Sequence, residues 1–332
     1  MRTIRPTELE NELEANGLAG VPSMIHGGPG EGKSQLVYNF ANKRGAKLYE
    51  LRANLFDPVD VRGGLKVVEM EDGTYKTRYG IPEDYPPSDY EGTVVLFIDE
   101  ITNAPKATQN ALLQLLLDDK IGTYHLPKNT IKIAAGNRAQ DRAAVHEMPT
   151  PVKNRFAHYT VEAHIDDWVA WAINNDVDPS IIAFLRYRPA LLSSVDSKEN
   201  AFPTPRAWEF LNKKLPFMKD EFYGCASIIG DGPAGEYIAF KSIYQDVPDI
   251  DDLIKKPSHT KVPTNASVLY AIAGALASRV DTHNFEQIMK YVRRMPAEYQ
   301  VIIVRDCMAK DNTLSTHTAF QKWTQDNASV LL

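Results

Sequence analysis

Apolar positions in the first half of the chain fall into short continuous runs, separated by stretches with helical spacing. VPSMIHGG (21–28) reads as a strand entering a glycine loop. Leu36, Val37 and Phe40 then share one side of a helix running from Lys33 to about Arg44. AKLYELRA (46–53) reads as a second strand. TVVLFID (93–99) is an unbroken apolar run, the pattern of a central parallel strand covered on both faces. Leu112, Leu113, Leu116 and Leu117 mark an amphipathic helix over 106–118, and TIKIAAGN (130–137) is a strand closing on a polar residue. Strands alternating with helices predict βαβ units and a parallel sheet.

Asp72-Gly73 inside VVEMEDGTYKTRY (67–79) predicts a hairpin, and a second is expected around GTYHLPKNT (122–130). After about residue 164 helical patterns take over: DDWVAWAINN, PSIIAFLRY, PRAWEFLNKKL and AGEYIAFKSIYQ. The proline-rich stretch 248–265 reads as a linker or loop. Beyond it, ASVLYAIAGALASRV, NFEQIMKYVRRM and EYQVIIVRDCMAK suggest a further helical bundle.

Composition narrows the function classes. Hydrophobic residues make up 43% of 332, enough to bury a normal core. The net charge is −6 and no long Lys/Arg block occurs, which counts against a nucleic-acid partner without excluding one. Cys225 and Cys307 lack metal or disulfide spacing, the histidines lack metal-ligand spacing, and the cysteines read as packing residues. No apolar run approaches membrane-spanning length and the N-terminus lacks a secretory h-region, so a soluble, cytoplasmic protein is expected.

The chemistry is concentrated in three places. Residues 27–34, GGPGEGKS, have the G-x-x-x-x-G-K-S pattern of a phosphate-binding loop, between a strand and a helix as that loop requires. Glycines let backbone N–H groups surround phosphate oxygens, and the helix N-terminus favours the anion. Gly27, Gly28, Pro29, Gly30, Glu31, Gly32, Lys33, Ser34 and Gln35 are the expected nucleotide-binding residues. Lys33 would reach the β- and γ-phosphates and Ser34 would ligate Mg2+, with ATP the expected nucleotide. Asp99 and Glu100 end the strand VVLFID. The first could orient Mg2+ and the second polarise a water for attack on the γ-phosphate. Asn137, at the end of the fourth strand, could hydrogen-bond both that water and the phosphate.

GGPGEGKS, LFIDE, AAGNR and NRF, in this order, resemble an AAA+ ATPase module. DPVDVRGG (57–64), the Asp-Gly hairpin, ITNAPKATQNALLQLLLD and PTPRAWEFL are similar to its MoxR-like branch. The resemblance covers roughly residues 1–245. It implies a three-layer αβα P-loop NTPase core with a parallel sheet (1–163), a helical lid (164–246) and a helical C-terminal extension (247–332). It also implies that Asn137 is the sensor 1 residue and that Arg155 is an arginine finger reaching a neighbouring subunit's ATP. Arg206 would be sensor 2, in a lid folded onto the phosphates. Lys153 and Arg142 are alternative fingers, and Arg186 and Arg188 weaker lid candidates. Thr204-Pro205 also reads as an N-cap and N1 pair opening a helix, compatible with that role.

By the same resemblance, the chain is expected to form a ring, a hexamer by preference. It would remodel or activate a protein client, with a separately encoded von Willebrand factor A domain protein as partner. An ATPase acting on nucleic acid, in the manner of helicase or clamp loaders, is the alternative. A non-hydrolysing nucleotide switch is a third reading, opposed by the intact Lys33, Asp99, Glu100 and Asn137. Tyr75, Tyr79, Tyr85 and Tyr90, in and after the hairpin, read equally as a grip on a partner or as ordinary strand formers.

Overall fold

A computed structural model describes residues 3–138, 148, 153–196, 198–244 and 247–327. The chain separates into two compact units, Met1–Ala163 and His164–Leu332.

In the first unit the apolar runs become parallel strands. β1 (Thr3–Ile4), α1 (Pro6–Ala19), β2 (Ser23–Gly27), α2 (Lys33–Lys43) and β3 (Lys47–Arg52) open it. The short α3 (Pro58–Arg62) leads to β4 (Leu65–Glu69) and β5 (Tyr75–Tyr79), an antiparallel pair apart from the main sheet. β6 (Val94–Asp99), α4 (Lys106–Asp118), the small pair β7 (Lys120–Ile121) and β8 (Tyr124–His125), β9 (Thr130–Asn137) and β10 (Ala157–Val161) complete it. The main sheet has the order β1-β10-β2-β9-β6-β3, and every pairing in it is parallel.

Successive residues of the central strands point to opposite faces, and each face meets helices. Ile25, Val95, Phe97, Ile133 and Ala135 pack with Leu9 and Leu13 of α1 and Leu36, Val37 and Phe40 of α2. Met24, Leu96, Ile98 and Ala134 pack on the other side with Leu112, Leu113 and Leu116 of α4. This is the expected three-layer αβα arrangement. α1 tolerates close approach because Gly17 faces Ile131, whose Cγ1 would lie 2.9 Å from an added Cβ. The second hairpin lies earlier than expected: its turn is Gly122-Thr123, and the sequence from Leu126 to Asn129 links it to β9. Gly122, at φ 57°, takes the left-handed position.

The second unit is helical: α5 (Ile165–Asn174), α6 (Pro179–Tyr187), α7 (Pro205–Lys214), α8 (Glu221–Ile229), α9 (Asp231–Tyr244), α10 (Ile250–Lys255), α11 (Ala266–Arg279), α12 (Phe285–Val292), α13 (Ala297–Lys310) and α14 (Thr318–Asp326). α6 packs on α11, where Gly274 brings the two close. α10 falls inside the stretch read as a linker. Asp249 opens it by accepting from the Asp251 N–H at 2.8 Å, and Leu253 anchors it in the core. Among the described residues, no helix is long and apolar enough to cross a membrane.

Candidate nucleotide-binding site

The loop lies at the C-terminal end of β2, where the chain order reverses: β9 flanks β2 on one side and β10 on the other. Ligands of open parallel sheets bind at such a reversal. Register then places the chemistry. Asn137 is the Cα partner of Gly27, while β6, ending at Asp99, lies on the far side of β9.

Within the loop, Gly32 has φ 81° and is the N-cap of α2, a left-handed position that glycine adopts without strain. The Lys33 ammonium donates to Gly27 O (2.9 Å), Gly28 O (2.8 Å) and Asn137 Oδ1 (3.1 Å). The Ser34 hydroxyl donates to Asp99 Oδ2 at 2.6 Å. Strand ends distant in sequence are thereby brought to one loop. Ser34 Oγ and Asp99 Oδ2 form a pair of hard oxygen donors suited to Mg2+, and the loop offers a helix N-terminus to an anion.

Glu100 sits at φ 54°, a left-handed conformation that costs a non-glycine residue about 1 kcal/mol. Its N–H donates to Asp99 Oδ1 (2.8 Å), and its carbonyl accepts from the Asn103 N–H (2.9 Å). Thr102 had no signal in the sequence beyond its place after the acidic pair. Its buried hydroxyl accepts from the Asn137 N–H at 3.1 Å, fixing the end of β9.

A histidine pair underlies the loop. His158 Nε2 lies 2.6 Å from Lys153 O, which can only accept, so that nitrogen carries the proton. His158 Nδ1 then accepts from His26 Nε2 at 3.0 Å, with the rings stacked. Burial, then the neighbouring His158, Lys153 and Lys33, pull the His26 pKa down to about 4. Arg155 is exposed on the turn between Lys153 and β10. Arg206, in the second unit, is exposed at the second residue of α7, whose N-cap Thr204 accepts from the Ala207 N–H at 3.1 Å. His164 caps α5, accepting from the Asp166 N–H. Arg142 and His146 lie outside the described residues.

Strand, glycine loop and helix, with a lysine and a serine facing an acidic strand end, define a P-loop nucleotide-binding module. Residues 8–148 match the family profile of the MoxR domain in the MoxR-vWA-beta-propeller ternary systems. Over these residues, fewer than half of its length, the chain is similar to a MoxR domain. No curated protein matches it. Solved structures similar to it include a putative ATPase from Cytophaga hutchinsonii, at 13% identity over 92% of this chain and 90% of that one, with TM-score 0.35. The RuvB Holliday junction branch migration motor of Thermotoga maritima is 13% identical over 97% and 86%, with TM-score 0.34. NtrX from Brucella abortus in complex with ATP is 14% identical over 98% and 68%, with TM-score 0.40. At such scores these likenesses assign no role to any residue here.

Proposed function

We propose that this chain hydrolyses ATP and uses the energy, as a ring oligomer, to remodel or activate a protein client in the cytoplasm. The observation that carries this reading is the convergence of Lys33, Ser34, Asp99 and Asn137 on one glycine loop. Lys33 neutralises charge on the β- and γ-phosphates, and Ser34 and Asp99 hold Mg2+. Bound there, the cation supplies charge stabilisation to the phosphoryl oxygens. Glu100 accepts a proton from the attacking water while Asn137 orients that water against the phosphate. Gly27, Gly28, Pro29, Gly30, Glu31, Gly32 and Gln35 complete the nucleotide cradle. Arg155, exposed on its turn, serves the site of the next subunit, and Arg206 acts from the lid. The family name in the profile ties such domains to von Willebrand factor A partners, which makes a separately encoded protein of that type the expected client or adaptor.

Glu100→Gln tests the reading. ATP should still bind while hydrolysis falls by about two orders of magnitude or more, as expected when a positioned general base is removed. Mass photometry with ATP should show a ring accumulating. A Glu100→Gln protein that turns over at the wild-type rate removes Glu100 from the mechanism.

A further inference from the structure

Glu31, buried, and Arg138, half-buried, are charged residues beside the loop; Glu31 is named above only as a position of the nucleotide cradle, and Arg138 has no role there. The Glu31 side chain is 4% exposed and that of Arg138 15%. Glu31 Oε2 accepts from the Gly28 N–H at 2.6 Å, and Glu31 Oε1 accepts from Arg138 Nη2 at 3.2 Å. Arg138 also lies 3.8 Å from Glu162 at the end of β10. The pair packs closely on Gly28: an added Cβ would fall 2.8 Å from Arg138 Nη2 and 2.9 Å from Glu31 Oε1, so these side-chain ends would have to move. Two consecutive residues at the end of β9 therefore grip the loop at different points. Asn137 holds it through Lys33, and Arg138 holds it through Glu31 and the Gly28 amide.

We infer that the Glu31–Arg138 pair is a latch that holds the phosphate loop open in its binding shape. Arg138 is then a positioning residue that sets nucleotide affinity rather than the rate of the chemical step. This rests on the nucleotide-binding reading of the loop. The latch makes a prediction of sign that simple electrostatics does not. Arg138 is a cation and Glu31 an anion, both close to where phosphate would bind. If each acted only through its charge, removing Arg138 would weaken nucleotide binding and removing Glu31 would strengthen it. If they act as a latch, removing either one weakens binding, and removing both is no worse than removing one.

The experiment measures ATP turnover, and binding of Mg2+ with a fluorescent N-methylanthraniloyl ADP, in Arg138→Met, Glu31→Gln, the double variant and Arg138→Lys. Each single variant should raise Kd and KM about tenfold, about 1.4 kcal/mol, with kcat falling less than threefold. The double variant should match the singles, and Arg138→Lys should recover part of the affinity. Hydrogen exchange of the unliganded protein should speed up in a peptide spanning the loop in all but the wild type, least in Arg138→Lys. Tighter binding by Glu31→Gln, additive losses, or a fall in kcat at unchanged KM each overturns the latch. If Arg138→Met fails to fold, Glu31→Gln carries the same comparison. A wild-type protein that binds no nucleotide removes the function proposed above, and loop exchange alone then decides the latch: unchanged exchange in both single variants sinks it.

Discussion

Among the described residues, each unit has an arginine–carboxylate pair set against structure from a distant part of the chain, fully buried in the second unit and partly buried in the first, and the two are built to different ends. In the second unit Arg186 of α6 meets Asp306 of α13 in a two-pronged pair, with side chains 5% and 4% exposed. Burial pushes the Asp306 carboxyl up from its ordinary value, against the pull of Arg186. The pair ties two helices 120 residues apart, and Asp166–Arg305 (2.6 Å) ties α5 to the same helix. In the first unit Glu31–Arg138 is joined through one guanidinium nitrogen at 3.2 Å, with Glu162 near Arg138 and a loop amide bonded to Glu31. A tight bidentate pair in an apolar setting fixes helix register. A looser shared pair next to a glycine loop can adjust the loop without holding up the fold. Buried charge is costly, so each pair is expected to be kept for the geometry it sets rather than for net stability.

The sharpest way to break this contrast is to remove Asp306. Asp306→Ala leaves Arg186 charged and buried without its partner, which should cost about 3–5 kcal/mol in denaturant unfolding. Removing Arg186 as well should cost less than the two single losses added together. A loss under about 1 kcal/mol for Asp306→Ala would place this pair with the adjustable kind.

Lys33→Ala probes the other side. Its ammonium holds two loop carbonyls and Asn137 in the unliganded protein and would meet the phosphates on binding. Nucleotide affinity should fall at least about a hundredfold, close to 3 kcal/mol. The midpoint of unfolding without ligand should move far less than in Asp306→Ala. Equal stability losses in the two variants would mean that the loop, too, is principally a structural lock.

What the sequence disclosed follows the same division. Continuous apolar runs and glycine spacing placed β2, β6, β9 and the loop, because periodicity and backbone freedom are local properties. The parallel sheet followed from alternation. α1, α8, α10 and α14 did not stand out. α1 is mostly polar, with Leu9 and Leu13 as its buried residues, and α10 is six residues long inside a proline-rich stretch. The two ion pairs were invisible for a different reason. Glu31 stood only as one position of the loop motif and Arg138 as the letter after Asn137, and pairing across 107 residues leaves no periodic trace. Thr102 behind Asn137 is hidden in the same way.

pH separates the two units further. His26 is held neutral by burial, then by His158, Lys153 and Lys33, with its pKa lowered from 6.5 to about 4. The unfolded chain takes up a proton below about 6.5 that the folded chain refuses. The contribution is therefore whole above 6.5 and is lost as pH falls from 6.5 through 4, on the order of 3 kcal/mol. His26→Gln should flatten the stability profile in that window. A wild-type profile already flat between 6.5 and 4 would show that His26 titrates normally.

The smallest expected effect separates capping from sensing on α7. Thr204 Oγ1 accepts from the Ala207 N–H, and the first helical residue is Pro205, so Thr204→Ala should cost about 1 kcal/mol of stability. Arg206, one residue further and exposed, should be replaceable by Ala within about 0.5 kcal/mol. If Arg206 reads the nucleotide from the lid, Arg206→Ala should slow ATP turnover at that unchanged stability, whereas Thr204→Ala should lower stability and leave turnover close to wild type. Turnover lost in step with stability in both variants would leave Arg206 no role beyond its place in a helix that the cap holds.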